Sequence, residues 1–163
     1  MARSKNISDA NEALRRKLVE EMRQVSERAK LPIAPDQILF GSHSNVIVAN
    51  SVAANFDNIS REDLKTGVNV GLVYLDLPEE ELTPTSSGAI PAGFYIVRVT
   101  DTRAELVDLS GKPVARELPV TITPGETNLR IKADIVIGPG KFQISYHGRF
   151  IQINACIGKK CKG

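Results

Sequence analysis

The chain has 163 residues, of which 42% are hydrophobic and 25% are charged, which is typical of one soluble globular domain rather than a disordered or fibrous protein. Lys and Arg outnumber Asp and Glu by only 21 to 19, so the charge balance does not favour binding of nucleic acid or an anionic membrane. Its apolar runs are shorter than the roughly 18 residues of a membrane-spanning helix, so we expect no integral membrane segment.

The first segment has the pattern of an amphipathic helix from about Asp9 to Lys30. Asp9 and Glu12 have capping-box spacing, and Pro32 ends the helix because the residue before a proline is disfavoured in the α region. Residues 1–35 therefore form a predicted N-terminal helical segment, which packs across a sheet or, alternatively, against another chain. Its apolar stripe recurs at steps of three and four residues: Ala10, Leu14, Leu18, Met22, Val25 and Ala29.

After this helix the hydrophobic period becomes that of strands. Three segments rich in β-branched and apolar residues are predicted strands: DQILF, SNVIVANSVA and VNVGLVYLDL. Between them, ISREDLKTG predicts one short helix with Ser60 as its cap and Gly67 as its stop. The segment LPEEELTPTSSGAIPAG contains three prolines and an acidic run, so residues 77–92 are a candidate connection or subdomain boundary.

From position 93 onward the side chains alternate with the two-residue period of strands. In GFYIVRV the side chains of Tyr95, Val97 and Val99 fall on one face, and Gly111 can supply the positive φ of a hairpin loop. Six or more strands with frequent turns predict a mainly β fold, an antiparallel β-sandwich or barrel-like domain over residues 36–163. The segment LRIKADIVI has a predicted inward set: Leu129, Ile131, Ala133, Ile135 and Ile137.

Both cysteines, Cys156 and Cys161, lie near the end of the sequence with four residues between them. Two isolated histidines do not complete a zinc site with them, and the spacing is not that of a thioredoxin-like pair. We predict a disulfide, with two free thiols as the alternative, and interpret Lys159, Lys160 and Lys162 as solvated terminal charge. Disulfides persist in oxidising compartments, which favours a secreted or cell-envelope location, and a cytoplasmic one is the alternative.

Two polar clusters are candidate sites. In GSHSN, residues 41–45, a hydrolase would use His43 with Ser42 or Ser44 as base and nucleophile. Neighbouring side chains on an extended segment point to opposite faces, however, so an ordinary loop is favoured there.

The second cluster is SYHGRF, residues 145–150. Tyr146, His147 and Arg149 beside a glycine turn predict a binding tip at the end of a sheet. The alternative is an ordinary hairpin tip with Tyr146 in the core.

These features predict a non-catalytic, secreted or cell-envelope module that binds another protein through its loops or a sheet edge. A small-ligand or glycan-binding sandwich that uses SYHGRF is the alternative, and a small hydrolase built on His43 is the least favoured. We expect no nucleic-acid partner, cofactor or metal, and the oligomeric state is left open.

Overall fold

The chain is mainly β, with two antiparallel sheets and one long N-terminal helix, α1 (Ala2–Ala29). The computed structural model describes residues 2–34, 37–43, 46–78, 90–127, 130–138, 140–158 and 160–161, without the side chains of residues 1–11 and 43. This architecture confirms the predicted fold class. The strands are β1 (Leu39–His43), β2 (Val46–Val52), β3 (Val68–Asp76), β4 (Gly93–Val99), β5 (Ala104–Val107), β6 (Pro113–Leu118), β7 (Val120–Pro124), β8 (Ala133–Gly138), β9 (Lys141–His147) and β10 (Ile151–Ile157).

The two sheets differ in how their strands are ordered. The larger sheet is a six-stranded meander in which β1 to β6 pair in chain order. The smaller sheet has the order β7-β10-β9-β8, so the last strand lies between β7 and β9. Within it, Ile153 of β10 is opposite both Ile122 of β7 and Tyr146 of β9. The final strand therefore pairs with the preceding strand, β9, on one side and with the more distant β7 on the other.

The two sheets pack over a shared apolar core. Tyr95, Val97 and Val99 of β4 are buried in this core, as their alternation predicts. The apolar cluster draws on strands of both sheets, including Val48, Val73, Leu106, Phe142, Ile144 and Ile153. The arrangement is therefore sandwich-like.

Strand β8 begins at Ala133, which corrects the predicted inward set. Ile131 is 56% exposed, whereas Ala133 is buried and Ile135 and Ile137 pack against the core. The backbone before β8 bonds to the Gln37 side chain, whose Oε1 accepts from the Lys132 N–H at 2.8 Å and whose Nε2 donates to the Arg130 carbonyl oxygen at 3.0 Å. Leu129 lies outside the described residues.

Helix α1 packs on the outer face of the larger sheet. Met22 and Val25 are buried against Ala49 of β2 and Leu72 of β3. The helix begins earlier than the Asp9 start predicted from the capping pattern and ends beside Lys30, whose φ is 55°. The part of the apolar stripe that contains Met22 and Val25 therefore packs against the larger sheet, whereas Leu14 is 41% exposed.

The connection between β2 and β3 contains a short turn that ends at a glycine. The predicted short helix is a 3₁₀ turn (Glu62–Thr66), where the N–H of Ser60 donates to Asp63 Oδ2 at 2.9 Å. Gly67 ends it with a φ of 86°, as predicted.

Two predicted boundaries lie outside the described residues. They are the boundary at residues 35 and 36, and residues 79–89 of the 77–92 connection.

Candidate functional site

The outer face of the smaller sheet carries polar side chains on neighbouring strands. The register places Asn154 opposite both Thr121 and Ser145, and Gln152 opposite Thr123. The alternate residues of these strands, such as Ile144 and Ile153, point into the core. We call this surface the polar face: Thr121, Thr123, Gln143, Ser145, Gln152 and Asn154.

The chain folds back over this face after β10. Cys156 and Cys161 form a disulfide with their Cα atoms 5.8 Å apart. The N–H of Lys160 donates to the carbonyl oxygen of Gly140 at 2.8 Å. A side chain at Gly158 would place its Cβ 2.8 Å from the carbonyl carbon of Gly140, and its φ is 135°, so glycine is required there. The tail is therefore held by a covalent bond, a hydrogen bond and close backbone packing.

A groove of about 380 Å³ lies between the folded-back tail and the polar face. This volume is near the lower end of the range for small-ligand pockets, about 300–1,000 Å³. We call it the tail groove, and its described lining is Pro119, Thr121, Lys141, Gln143, Asn154, Ala155, Cys156, Lys160 and Cys161.

The tail groove is basic. Lys141 and Lys160 are both exposed, and its described lining contains no carboxylate. Within the described part of the chain, neither ammonium group has an acidic partner within 4.0 Å. The groove thus combines positive charge with amide and hydroxyl groups, which suits a polar ligand that carries negative charge.

The structure places Tyr146 of the predicted binding tip in the core. Its hydroxyl donates to Asn50 Oδ1 at 2.7 Å, and its ring centroid is 6.0 Å from that of Phe56. Burial raises the pKa of the Tyr146 phenol well above its ordinary value. The ring is therefore inaccessible to a ligand in this conformation.

His147 and Arg149 lie apart from the tail groove. His147 is half-buried and lines a small pocket of about 80 Å³ beside the ion pair of Lys132 and Asp57, whose charged atoms are 3.1 Å apart. Arg149 is exposed, with its guanidinium 5.6 Å from the centroid of the Phe150 ring. A binding role for His147 and Arg149 stays a prediction.

The other predicted cluster, GSHSN, is only partly described. Ser42 is exposed on β1, opposite Ile47 of β2. The side chain of His43 and the whole of Ser44 and Asn45 lie outside the described residues. The hydrolase arrangement therefore stays an untested expectation.

Of the groove lining, the sequence identified Cys156 and Cys161 as a disulfide pair but did not single out the polar side chains of β7, β9 and β10. A signal for them exists, because KFQISYH and FIQINAC place polar residues at alternate positions on two strands. Periodicity does not reveal that β7 and β9 flank β10, nor that the tail folds back over them. Lys160, interpreted from sequence as solvated charge, is exposed but forms part of the groove wall.

The described part of the chain contains neither a candidate membrane-spanning helix nor a candidate metal-binding cluster. No described helix is long and apolar enough to cross a membrane. Among the described side chains, no group of three or more His, Cys, Asp or Glu residues is placed to hold a metal ion. Comparisons with protein-family models, curated proteins and solved structures found no match to this chain.

Proposed function

We propose that this chain is a non-catalytic binding module, secreted or attached to the cell envelope, that contacts a partner protein through the tail groove and the polar face. The observation that carries the proposal is the tail groove itself, a concave polar surface built on the backbone of three paired strands. Binding groups held on sheet strands keep their geometry better than groups on loops.

The folded-back tail supports an extracytoplasmic location. The Cys156–Cys161 disulfide forms one wall of the groove, so an intact binding surface depends on a bond that persists in oxidising compartments. A reducing compartment would leave this wall without its covalent link.

Glycan binding at SYHGRF is supported less well. Of the two aromatic rings in that cluster, Tyr146 is buried between the sheets, and Phe150 is 52% exposed with the Arg149 guanidinium 5.6 Å from its centroid. Phe150 lies outside the tail groove, whose described lining contains no aromatic side chain. A partner protein therefore fits the observed surface better than a sugar that stacks on an aromatic ring.

Site-specific photocrosslinking in the source organism tests this proposal. We expect p-benzoylphenylalanine at Thr123, exposed on the polar face, to crosslink one partner protein, and the same group at Arg116 of the larger sheet to give no such product. Thr121→Trp, which fills the groove, should suppress the crosslink, whereas Thr102→Trp in an exposed loop should not. Equal crosslinking from both sheets, or none from Thr123, would contradict the proposal.

A further inference from the structure

Two lysines and several neutral donors converge on the tail groove. Lys141 begins β9, and Lys160 comes from the folded-back tail. We propose that the tail groove binds a carboxylate-rich, acidic peptide segment, and that the Cys156–Cys161 disulfide is needed because it holds the wall that carries Lys160. This inference rests on the proposed function and names the chemistry of the partner.

The charges around the groove favour an acidic ligand. Lys141 and Lys160 are exposed, and neither has an acidic partner within 4.0 Å among the described residues. Asp134 of β8 is the acidic residue on the outer side of this sheet, and β9 separates it from β10. Its carboxylate already accepts a hydrogen bond from the N–H of Ile135 at 2.8 Å. The groove therefore offers net positive charge to an incoming carboxylate.

The neutral groups of the groove suit the same ligand. Asn154 Oδ1 accepts a hydrogen bond from the Ser145 hydroxyl, which leaves the Asn154 amide NH₂ without a partner among the described residues. Gln143 and Thr121 add a further amide and a hydroxyl to the lining. Such donors can bind carboxylate oxygens and the backbone carbonyls of an extended chain.

The position of the groove favours a peptide over another acidic polymer. Strand β7 lies at the edge of the smaller sheet, and Pro119 and Thr121 bring the groove to that edge. An extended peptide can approach along an edge strand, with its alternate side chains directed into the groove. The absence of an aromatic ring from the described lining removes the stacking surface that a sugar would use.

The disulfide holds Lys160 in position over the groove. Without the disulfide, two described contacts would still hold the tail. These are the hydrogen bond from the Lys160 N–H to the Gly140 carbonyl oxygen and the packing of Gly158 against Gly140. A short terminal segment held by so few contacts frays readily. Lys160 would then spend less time over the polar face.

Calorimetric titration with blocked hexaglutamate at low ionic strength tests the ligand class. We expect wild-type protein to bind hexaglutamate and not hexaglutamine, and the affinity to fall as salt is added, because exposed charges are screened. An uncharged ligand of similar size binding equally well would overturn the proposal. So would tighter binding of an oligogalacturonate, which would assign the groove to acidic glycans instead.

Matched lysine variants test the site. Lys141→Gln and Lys160→Gln should each weaken hexaglutamate binding by about two- to fivefold, the effect of losing one exposed ion pair. Lys112→Gln, at an exposed lysine of the β5–β6 loop, should leave the affinity unchanged. Equal affinity in all three variants would overturn the assignment of the groove.

The disulfide variant completes the test. Cys156→Ser combined with Cys161→Ser should weaken binding to about the same extent as Lys160→Gln, with an unchanged far-ultraviolet circular dichroism spectrum. Unchanged affinity in the folded double variant would overturn the role of the disulfide.

The two experiments also separate this inference from the proposed function. If wild-type protein does not bind hexaglutamate but still forms the Thr123 crosslink, the ligand class is wrong and the proposed function stands. If it binds hexaglutamate but forms no crosslink, the partner protein is wrong and the acidic ligand stands.

Discussion

At the scale of single residues, Asn50 links the two sheets through one buried amide. Its side chain is 0% exposed although it lies on β2 of the larger sheet. It accepts from the Tyr146 hydroxyl at 2.7 Å and donates to the carbonyl oxygen of Asp134 at 3.1 Å, so both partners belong to the smaller sheet. A buried polar group of this kind favours one alignment of the sheets, because any shift leaves it unsatisfied.

The variant Tyr146→Phe tests this link. We expect it to lower the free energy of unfolding by about 1–3 kcal/mol, because Asn50 Oδ1 would lose its donor while remaining buried. Tyr74→Phe is the control, since Tyr74 is half-buried on the opposite face of the larger sheet against Phe94. Urea unfolding of both variants measures the difference, and equal stabilities would show that the hydroxyl contributes nothing net.

Alkaline pH should destabilise the fold through the same residue. Burial raises the pKa of Tyr146, whereas in the unfolded chain a tyrosine ionises near pH 10. The unfolded state therefore loses its proton first, so this contribution to stability is complete below about pH 10 and declines as the pH rises further. Tyrosinate absorbance should show that Tyr146 titrates only with unfolding, and Tyr146→Phe should reduce the amplitude of that step by one phenol. The buried Tyr95, whose pKa is also raised by burial, accounts for any part of the step that remains. A wild-type protein in which every phenol ionises while folded would contradict this.

Residue patterns predicted the burial of side chains more successfully than they predicted the contacts of those side chains. The alternation of Tyr95, Val97 and Val99 identified the inner face of β4 because the pleat of a strand imposes a period of two. The partner of Tyr146 could not be found in this way, since Asn50 lies 96 positions away in sequence. Hydrogen bonds between distant segments depend on strand order, and periodicity carries no information about it.

At the scale of elements, β3 packs closely against the smaller sheet at Gly71. The register of β3 against β4 shifts between Asn69 and Gly71, which marks a β-bulge. A Cβ at Gly71 would lie 2.6 Å from the Tyr146 ring and would also collide with the carbonyl oxygen of Ser51. The absence of a side chain there is what allows the Tyr146 ring to lie against β3.

Alanine at Gly71 should therefore be costly. We expect Gly71→Ala to lower the free energy of unfolding by at least about 1–3 kcal/mol, since the clash forces both the ring and the backbone to move. Gly93→Ala in β4 is the matched control, because a Cβ there would have no atom within 4 Å. Thermal unfolding measures the difference in stability between the two variants. A Gly71→Ala protein as stable as Gly93→Ala would show that β3 and β9 are not in such close contact.

The elements themselves were largely predictable, and their boundaries and partners were not. The stripe that contains Met22 and Val25 predicted α1, but the capping pair at Asp9 suggested a later start than Ala2. The tail groove was missed for a different reason. It requires β10 to enter between β7 and β9 and the tail to return over the sheet, and both are consequences of long-range packing rather than of local pattern.

At the scale of the whole molecule, the larger sheet is the middle of three layers. Leu72 of β3 packs under α1, and Val73, the next residue, packs against the smaller sheet. Both are completely buried, which is why the segment VNVGLVYLDL is apolar almost throughout. The polar face and the tail groove lie on the far side of the smaller sheet from α1, so a ligand can bind there without contact with the helix.

The shared core predicts that the two sheets unfold together. A single apolar cluster contains buried residues of both sheets, and Asn50 adds hydrogen bonds between them, so separating the sheets would expose most of the interior. We expect far-ultraviolet and near-ultraviolet circular dichroism to give coincident urea transitions, as in a two-state domain. Hydrogen exchange should agree, with the amides of Val73 in β3 and Ile144 in β9 opening at the same free energy. If Ile144 instead exchanged at a free energy lower by several kcal/mol, the smaller sheet would be a separate cooperative unit. The tail groove would then open independently of the larger sheet.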